Sequence, residues 1–361
     1  MRITFIFGNG FDIQCGLDTR YSDFLKEYTI PKRNDSSNIR NFKRYLLESE
    51  NQELWSNAEL AMGIYLGDFS DSNLNDYLER IADFQYKMIY HLEKQQNRCS
   101  WKKTDDIERV FKAFIFHSFK DVIPQNDKGF DIENVPEDNL YHFITFNYTN
   151  ILDKIISLSL PSSSNTARHR TIGKYVYDDT FQPIHHVHGE LASHIIMGVN
   201  DESQLITNPT LTLTKALKRV LIKPDMNYGI NHNWDASAMS AIQNSDIIAI
   251  YGVSYGQTDN LWWDAIRQWL EARERHKLVS FERDLVEGPT LRLAWEKVAS
   301  NVKKREGVLK KLGYIKDHPM YEQLLNQVYI ILNTNLLDIG PILLGDSFDE
   351  IVTNKTDKVL I

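Results

Sequence analysis

The amino terminus of the chain constrains its fold more than any other segment. Residues 2–12 read Arg-Ile-Thr-Phe-Ile-Phe-Gly-Asn-Gly-Phe-Asp, so an apolar strand runs directly into Gly8-x-Gly10 and then into a polar turn. A strand that ends in small residues lets backbone N–H groups approach a diphosphate, and a helix that follows directs its positive end at the same anion. Ile13 stands where the dinucleotide-binding fingerprint has its third glycine, so a tight turn that binds nothing is the alternative interpretation.

The composition is that of an ordinary globular protein. The 361 residues are 42% hydrophobic, which is enough to bury one large core or two medium ones. Cys15 and Cys99 are too few for a disulfide framework or a four-cysteine zinc site, which favours a reducing cytoplasm. We recognise no signal peptide and no membrane-spanning run, so we expect a soluble, cytoplasmic protein. A net charge of -8 argues against a primary role in binding nucleic acid.

Helical and strand patterns occupy different parts of the chain. Residues 21–122 are charged and follow helical periodicity, with almost no strand signal. The helices predicted there are 21–28, 37–50, 54–66, 73–96 and 105–122. We therefore predict that residues 21–122 form a helical insertion and that residues 1–20 and 123–361 form the α/β core.

Strands and helices alternate in the predicted core, as in a doubly wound α/β fold. The β-branched and aromatic runs predict strands at 3–7, 140–146, 173–177, 185–188, 195–197, 246–251 and 328–332. The predicted helices are 150–158, 212–222, 235–243, 259–274 and 291–312, with loops at 125–136 and 161–166. The expected fold is a mostly parallel, Rossmann-like sheet with a large helical insertion.

Polar residues follow two more of the predicted strands, where an open α/β sheet places its ligand. Asn147 comes directly after one strand, and the segment from Gly252 to Asp259 follows another. Small and hydroxylated side chains in that segment, Ser254 among them, can hold a ribose or a phosphate at the start of the next helix. Helix caps without any chemistry are the alternative interpretation for both segments.

A histidine-rich segment, His185-His186-Val187-His188-Gly189-Glu190, contains another predicted strand. Strand alternation predicts that His186 and His188 point to the same face while Val187 packs behind them. His188 is suited to act as a general base because imidazole titrates near neutrality, and a core histidine bonded to the backbone is the alternative. Three histidines in four residues also suggest a metal, but no clear carboxylate or cysteine partner stands at ligand spacing, so we expect no metal site.

Five motifs follow one another between residue 3 and about residue 270. They are Gly8-Asn-Gly-Phe-Asp-Ile, Gly16-Leu-x-x-x-Tyr21-Ser-Asp-Phe-Leu, Phe146-Asn-Tyr-Thr, His188-Gly and Tyr251-Gly-x-Ser-x-Gly-x-x-Asp259. In this order they resemble the AbiH family of bacterial phage abortive-infection proteins. Trp55-x-x-x-Glu59 and Asp106-Ile107-Glu108 resemble family signatures more loosely. That family is in turn similar to sirtuin-like NAD-binding domains.

The resemblance to sirtuin-like domains implies a site for NAD. The residues it implies as dinucleotide contacts are Gly8, Asn9, Gly10, Phe11, Gly252, Ser254 and Asp259. The glycines of the first turn would face the diphosphate, and Gly252 with Ser254 would face the adenosine half. Asn147 and His188 would contact the nicotinamide ribose, and Asp12 would steady that ribose as it becomes cationic. Asn9 and Phe11 depart from the small residues of the sirtuin turn, so the diphosphate geometry is expected to differ.

The same resemblance implies a phage-defence protein and an activity on NAD as substrate. Sirtuin deacylases carry two Cys-x-x-Cys pairs around zinc, which two cysteines cannot supply, so we favour hydrolysis of NAD to nicotinamide and ADP-ribose. One alternative is a sensor that binds NAD or a derivative without turnover. Another is an interaction protein whose insertion contacts a phage or host component and whose pocket is blocked by Phe11 and Tyr148. We also expect self-association through the insertion and no membrane partner.

Overall fold

A seven-stranded sheet lies at the centre of the protein. The computed structural model describes residues 1–122, 130–230, 234–283, 294–332 and 334–345. The strands of the sheet are β1 (Arg2–Phe7), β2 (Asn139–Thr145), β3 (Thr166–Ile172), β4 (Tyr175–His186), β7 (Ile247–Tyr251), β8 (Lys277–Glu282) and β9 (Val328–Leu332). A separate pair is formed by β5 (Gly189–Glu190) and β6 (His194–Ile195).

The order of the strands identifies where the sheet reverses direction. The order across the sheet is β3-β4-β2-β1-β7-β8-β9. Within the described part of this sheet, β3 is the one strand that pairs antiparallel, with β4, and the other pairs are parallel. Without β3, the parallel strands come third, second, first, fourth, fifth and sixth in chain order. This is an order found in doubly wound sheets, which bind ligands at the point where the order reverses. That point lies between β1 and β7, and the expected mostly parallel α/β fold is confirmed.

Helices precede, connect and cover the strands. In the first third of the chain they are α1 (Gly10–Gln14), α2 (Tyr21–Tyr28), α3 (Ser37–Leu46), α4 (Ser49–Leu54), α5 (Ala58–Tyr65), α6 (Leu74–Gln96) and α7 (Thr104–His117). The later helices are α8 (Ile151–Leu158), α9 (Lys215–Leu221), α10 (Lys223–Gly229), α11 (Trp234–Gln243), α12 (Asn260–Ala272), α13 (Ala294–Lys311), α14 (Tyr321–Gln327) and α15 (Gly340–Leu344). None of the helices in these described ranges has the length and apolar character that a membrane span requires.

Strand β1 is buried from Ile3 to Phe7 because both faces of the sheet are covered. Phe5 and Phe7 face a core shared with α7 and α8, and the rings of Phe5 and Phe114 lie 5.9 Å apart. Ile6 faces the opposite core, which includes Ile266 of α12. The strand therefore holds the turn that follows it in the middle of the sheet, between two packed layers.

Helices α2 to α6 form a third core of their own. Trp55 packs against Phe42 and Phe84, with ring centroids 5.2 and 5.0 Å apart. The same cluster includes Tyr148 and Leu221, so these helices also pack on segments that leave the sheet. Helix α7, which lies inside the predicted insertion range, instead packs on the sheet through Phe111 and Phe114.

The sequence predictions and the structure differ at several strands. The predicted strand at 173–177 spans a hairpin, because Gly173 takes a positive φ of 64° between β3 and β4. The predicted strand at 185–188 is the end of the longer β4, which stops at His186. Strand β8 was not predicted. Parts of the predicted loop at 125–136 and of the predicted helix at 291–312 lie outside the described residues.

Candidate functional site

The carboxyl ends of four neighbouring strands lie in one row. Phe7 is the register partner of both Thr145 and Tyr251, and Thr145 is in turn the partner of His186. The chain therefore leaves β1, β2, β4 and β7 at the same edge of the sheet. This common edge brings together segments that are up to about 240 residues apart in the sequence, as the spacing between Phe7 and Tyr251 shows.

The glycine turn after β1 packs directly on the turn after β7. Gly8 N donates to Tyr251 O over 3.0 Å, and Gly10 N donates to Gly252 O over 2.8 Å. A Cβ atom on Gly10 would lie 2.4 Å from the Cα of Gly252. The small residues thus permit backbone-to-backbone contact, and these two N–H groups, expected to face a diphosphate, donate to carbonyl oxygens instead.

The other residues predicted to contact a dinucleotide near these turns differ from one another in their burial and in their partners. Phe11 is fully buried and packs edge-on against Phe7 at 5.0 Å, so its side chain belongs to the core and not to a ligand surface. Asn9 and Thr19 bond reciprocally, since Asn9 Nδ2 donates to Thr19 O and Thr19 Oγ1 donates to Asn9 Oδ1. Ser254 is exposed, which leaves its hydroxyl accessible.

Asp12 is a buried carboxyl held by the segment that follows β2. Its side chain accepts from Asn147 Nδ2 at 3.0 Å and from Thr149 Oγ1 at 2.8 Å, and the residue is 2% exposed. Burial raises the pKa of Asp12 from 3.8 to about 7, although the hydrogen bonds from Thr149 and Asn147 oppose that rise. Two predicted catalytic residues, Asp12 and Asn147, are therefore in direct contact, and the carboxyl changes charge near neutral pH.

His188 belongs to a second buried cluster. His188 Nε2 lies 2.8 Å from Asp259 Oδ1 and 3.1 Å from Lys223 Nζ. Lys223 also donates to Asp259 Oδ1 and to Glu59 Oε2, each over 2.7 Å. We call this cluster the His188 network; its members are Glu59, Tyr148, His188, Lys223, Thr258 and Asp259. Asp259, expected to contact a dinucleotide, is here a partner of the predicted base.

Glu59 accepts hydrogen bonds from three partners within the His188 network. Besides the contact with Lys223, it accepts hydrogen bonds from Tyr148 OH at 3.1 Å and from Thr258 Oγ1 at 2.8 Å. Glu59 lies on α5, whereas its partners lie after β2, at the start of α10 and before α12. One buried carboxylate therefore connects the helices of the third core to the edge of the sheet.

The segment that follows β2 connects Asp12 to the His188 network. Asn147 contacts Asp12, whereas the rings of its two neighbours, Phe146 and Tyr148, lie 5.1 and 6.1 Å from the His188 ring. Alternate residues of this segment therefore contact different groups. The Asp12 carboxyl and the His188 imidazole lie on opposite sides of the backbone of residues 146–148. The three residues predicted to be catalytic therefore lie in one region of the sheet edge.

The electrostatic balance of the His188 network keeps its ions charged. Burial by itself lowers the pKa of Lys223, but the Asp259 and Glu59 carboxylates outweigh burial and raise that pKa above its ordinary value. Burial by itself raises the pKa of Asp259, but the Lys223 ammonium and His188 hold it below its ordinary value. Burial raises the pKa of Tyr148, so its hydroxyl stays protonated and donates.

The model of the family described as Bacteriophage abortive infection AbiH matches residues 4–281. The chain belongs to this family. The predicted membership is confirmed, and the family indicates a role in phage defence. The matched range contains Asp12, Asn147 and the whole His188 network of this AbiH protein. A comparison with curated proteins gives no match.

His186 does not share a site with His188 in this AbiH protein, contrary to the prediction from strand alternation. His186 Nε2 lies 2.9 Å from Asp153 Oδ1 on α8, whereas His188 contacts Asp259 and Lys223. The reason is that β4 and its pairing with β2 end at His186, so the strand period no longer determines the direction of His188. The two histidines belong to separate clusters.

Sequence reasoning missed the cation of the His188 network. Lys223 is buried at the start of α10, a helix that the periodicity did not predict. Its one local signal is its position in Leu221-Ile222-Lys223-Pro224, where a lysine stands between apolar residues and a proline. Glu59 was noticed only through a loose resemblance to a family signature, and Thr258 only as part of the segment from Gly252 to Asp259.

Proposed function

We propose that this AbiH protein hydrolyses NAD at the bond between nicotinamide and ribose, and that Asp12, Asn147 and His188 act on that ribose. The observation that carries the proposal is the contact of a buried carboxyl, Asp12, with Asn147 beside the His188 network at the ligand-binding edge of the sheet. The similarity of the family motifs to sirtuin-like domains supports NAD as the substrate.

The reaction builds positive charge on C1 and the ring oxygen of the ribose, as in glycoside hydrolysis. A carboxylate in a buried site stabilises that charge more strongly than it would in water. Asp12 is anionic above its pKa of about 7 and supplies this charge. The amide of Asn147 uses one N–H to hold Asp12, and its second N–H and its oxygen suit the hydroxyl groups of a ribose.

His188 is the general base in this proposal. Its Nε2 faces both Asp259 Oδ1 at 2.8 Å and Lys223 Nζ at 3.1 Å, and the proposal takes the tautomer in which Nε2 donates to Asp259 and Nδ1 accepts a proton. That proton comes from a ribose hydroxyl or from the attacking water. Lys223 and Asp259 fix the ring, so they position the base. No role toward the diphosphate is assigned to Gly8 and Gly10, because their N–H groups are used by the turn after β7.

The experiment is incubation of the purified full chain with NAD, followed by chromatography of nicotinamide and ADP-ribose. His188→Ala and Asn147→Ala are each expected to lower turnover by roughly 10² to 10⁴, the usual contribution of a positioned acid, base or orienting group. His169→Ala and Asn134→Ala are the matched controls, because both residues are exposed and both variants should keep wild-type turnover.

Two results would contradict the proposal in different ways. A folded His188→Ala protein that releases nicotinamide at the wild-type rate would remove His188 as the base. Saturable binding of NAD by the wild-type protein without any release of nicotinamide would replace hydrolysis by sensing.

A further inference from the structure

Potential metal ligands meet where β4 ends, beside helix α8, and none of them is a member of the His188 network. Asp153, His186 and Glu190 each offer one ligand atom, and these atoms all lie within 4.8 Å of one another. The closest contact joins His186 Nε2 and Asp153 Oδ1 at 2.9 Å. The histidine-rich sequence suggested a metal but supplied no clear carboxylate partner, whereas the fold brings one carboxylate from α8 and one from β5.

Two acceptor atoms at this position are buried without a donor. They are Asn150 Oδ1 and Asp153 Oδ2, and neither has a hydrogen-bond partner in the part of the chain that the structure describes. Asn150 itself is held in place, because its Nδ2 donates to Glu190 Oε2 over 2.6 Å. Buried acceptors without donors are unfavourable. A cation would satisfy both, since amide and carboxylate oxygens are metal ligands.

The neighbouring lysine does not neutralise these carboxylates. Lys154 directs its ammonium at the face of Trp101, with Nζ 4.5 Å from the ring centroid. Asp153 and Glu190 therefore place two carboxylates beside the His186 imidazole. A divalent cation neutralises the charge of both carboxylates, whereas a protonated imidazole carries a single positive charge. An ordinary ion pair between His186 and Asp153 would leave the two buried acceptors, Asn150 Oδ1 and Asp153 Oδ2, without a donor.

We propose that Asp153, His186 and Glu190 bind one divalent transition-metal ion, with Asn150 Oδ1 as an additional ligand. Imidazole favours a first-row transition metal over Ca²⁺ and Mg²⁺, and carboxylate with amide oxygen fits Mn²⁺ or Zn²⁺. Ligand atoms bound at about 2.1 Å lie about 3.4 Å apart in a tetrahedral site and at most about 4.2 Å apart on opposite sides of an ion, so side-chain movements of up to about 1 Å close the site.

A cleft reaches two of the proposed ligands, Asn150 and Asp153. It has a volume of about 500 Å³, and Asn150, Asp153, Cys99 and Trp101 are part of its lining. Cys99 is not included among the ligands, because its sulfur is not one of the ligand atoms that lie within 4.8 Å of one another. The site is independent of the proposed action on NAD, because none of its residues belongs to the His188 network or contacts Asp12.

The test is direct titration of the full chain, freed of any affinity tag and of bound metal, with Mn²⁺ and with Zn²⁺. Free Mn²⁺ is followed by its paramagnetic resonance signal, and Zn²⁺ by competition with a chromogenic chelator. We expect about one bound ion per chain and a higher melting temperature with the metal than without it. Glu190→Gln should weaken the affinity at least about tenfold, whereas the exposed control Glu274→Gln should bind as the wild type does.

The titration of the wild-type chain decides the proposal even if the variant folds poorly. Absence of saturable binding of either ion to folded wild-type protein would overturn it, and so would a folded Glu190→Gln variant with wild-type affinity. Tighter binding of Ca²⁺ or Mg²⁺ than of Mn²⁺ and Zn²⁺ would overturn the assignment to a transition metal.

Discussion

At the scale of single residues, the predicted site consists of buried side chains that contact one another across distant segments of the chain. Asp12 was predicted from its place after the first strand, but its contacts with Asn147 and Thr149 were not, because the two segments are about 135 residues apart. The turn that precedes Asp12 is fixed by a different constraint, the contact of Gly10 with Gly252. Local sequence therefore placed Asp12 and Asn147 after the ends of strands and left open that the two side chains contact each other.

The pKa of Asp12 predicts how stability changes with pH. Because its pKa is raised to about 7 in the folded protein, the folded state binds more protons than the unfolded state between pH 4 and 7, and stability falls as pH rises through this range. Between pH 5 and 8 the wild type should lose about 2 to 3 kcal/mol of unfolding free energy relative to Asp12→Asn. Urea unfolding at both pH values measures this difference.

The exposed residue Asp317 supplies the control for that measurement. Asp317→Asn should follow the wild type at both pH values. Equal pH dependence of the wild type and Asp12→Asn would mean that the Asp12 carboxyl is not destabilised by burial.

Gly10 should tolerate no side chain. A Cβ atom there would lie 2.4 Å from the Cα of Gly252 and 2.9 Å from its carbonyl oxygen, and backbone atoms cannot move aside without disturbing both turns. Gly10→Ala is expected to cost at least about 2 kcal/mol of unfolding free energy.

Gly307→Ala is the matched control, because nothing lies within 4 Å of a Cβ at that position on α13. It should be neutral or stabilise the protein by up to about 1 kcal/mol. Chemical unfolding of the two variants separates these outcomes, and a Gly10→Ala variant as stable as the wild type would contradict the packing of the turns.

At the scale of elements, periodicity predicted the elements that are buried on a regular face. The bounds of α2 and β9 agree with the predicted ranges 21–28 and 328–332, and α6 differs by one residue. Strand β8 was missed because Lys277, Ser280 and Glu282 break its apolar pattern, and it becomes a strand through pairing with β7 and β9.

Helix α10 was missed for a different reason. Pro224 suggests a break in the chain, whereas a proline in the first turn of a helix lacks only an N–H that has no partner in the helix. The salt bridge between Lys223 of α10 and Glu59 was not predicted either, because the two residues are 164 positions apart in the sequence. No local pattern predicts such a pairing.

The ion pairs of Lys223 connect three elements, and their loss should be costly. Lys223→Met would leave the Glu59 and Asp259 carboxylates buried without their cation, so we expect a loss of about 3 to 5 kcal/mol of unfolding free energy. Lys26→Met is the matched control, because Lys26 pairs with Asp23 at 3.0 Å while its side chain is 76% exposed, and such pairs contribute about 1 kcal/mol or less. Urea unfolding compares the two, and equal small losses would show that the His188 network does not hold these elements together.

At the scale of the whole molecule, the helical segment and the sheet contribute to one site. Glu59 lies on α5, whereas its partners Lys223 and Thr258 lie beside the sheet edge with His188. A displacement of α5 would therefore change the partners of the cation that contacts the proposed base. Self-association through the helical insertion stays a prediction.

The most direct test of the proposed activity follows the NAD pool of bacteria that express the wild-type chain or His188→Ala at equal protein levels. The proposal predicts that the wild-type chain depletes NAD before growth stops, and that the variant leaves both NAD and growth intact. Growth arrest by the wild-type chain while the NAD pool stays at its normal level would contradict NAD hydrolysis as the means by which this AbiH protein acts.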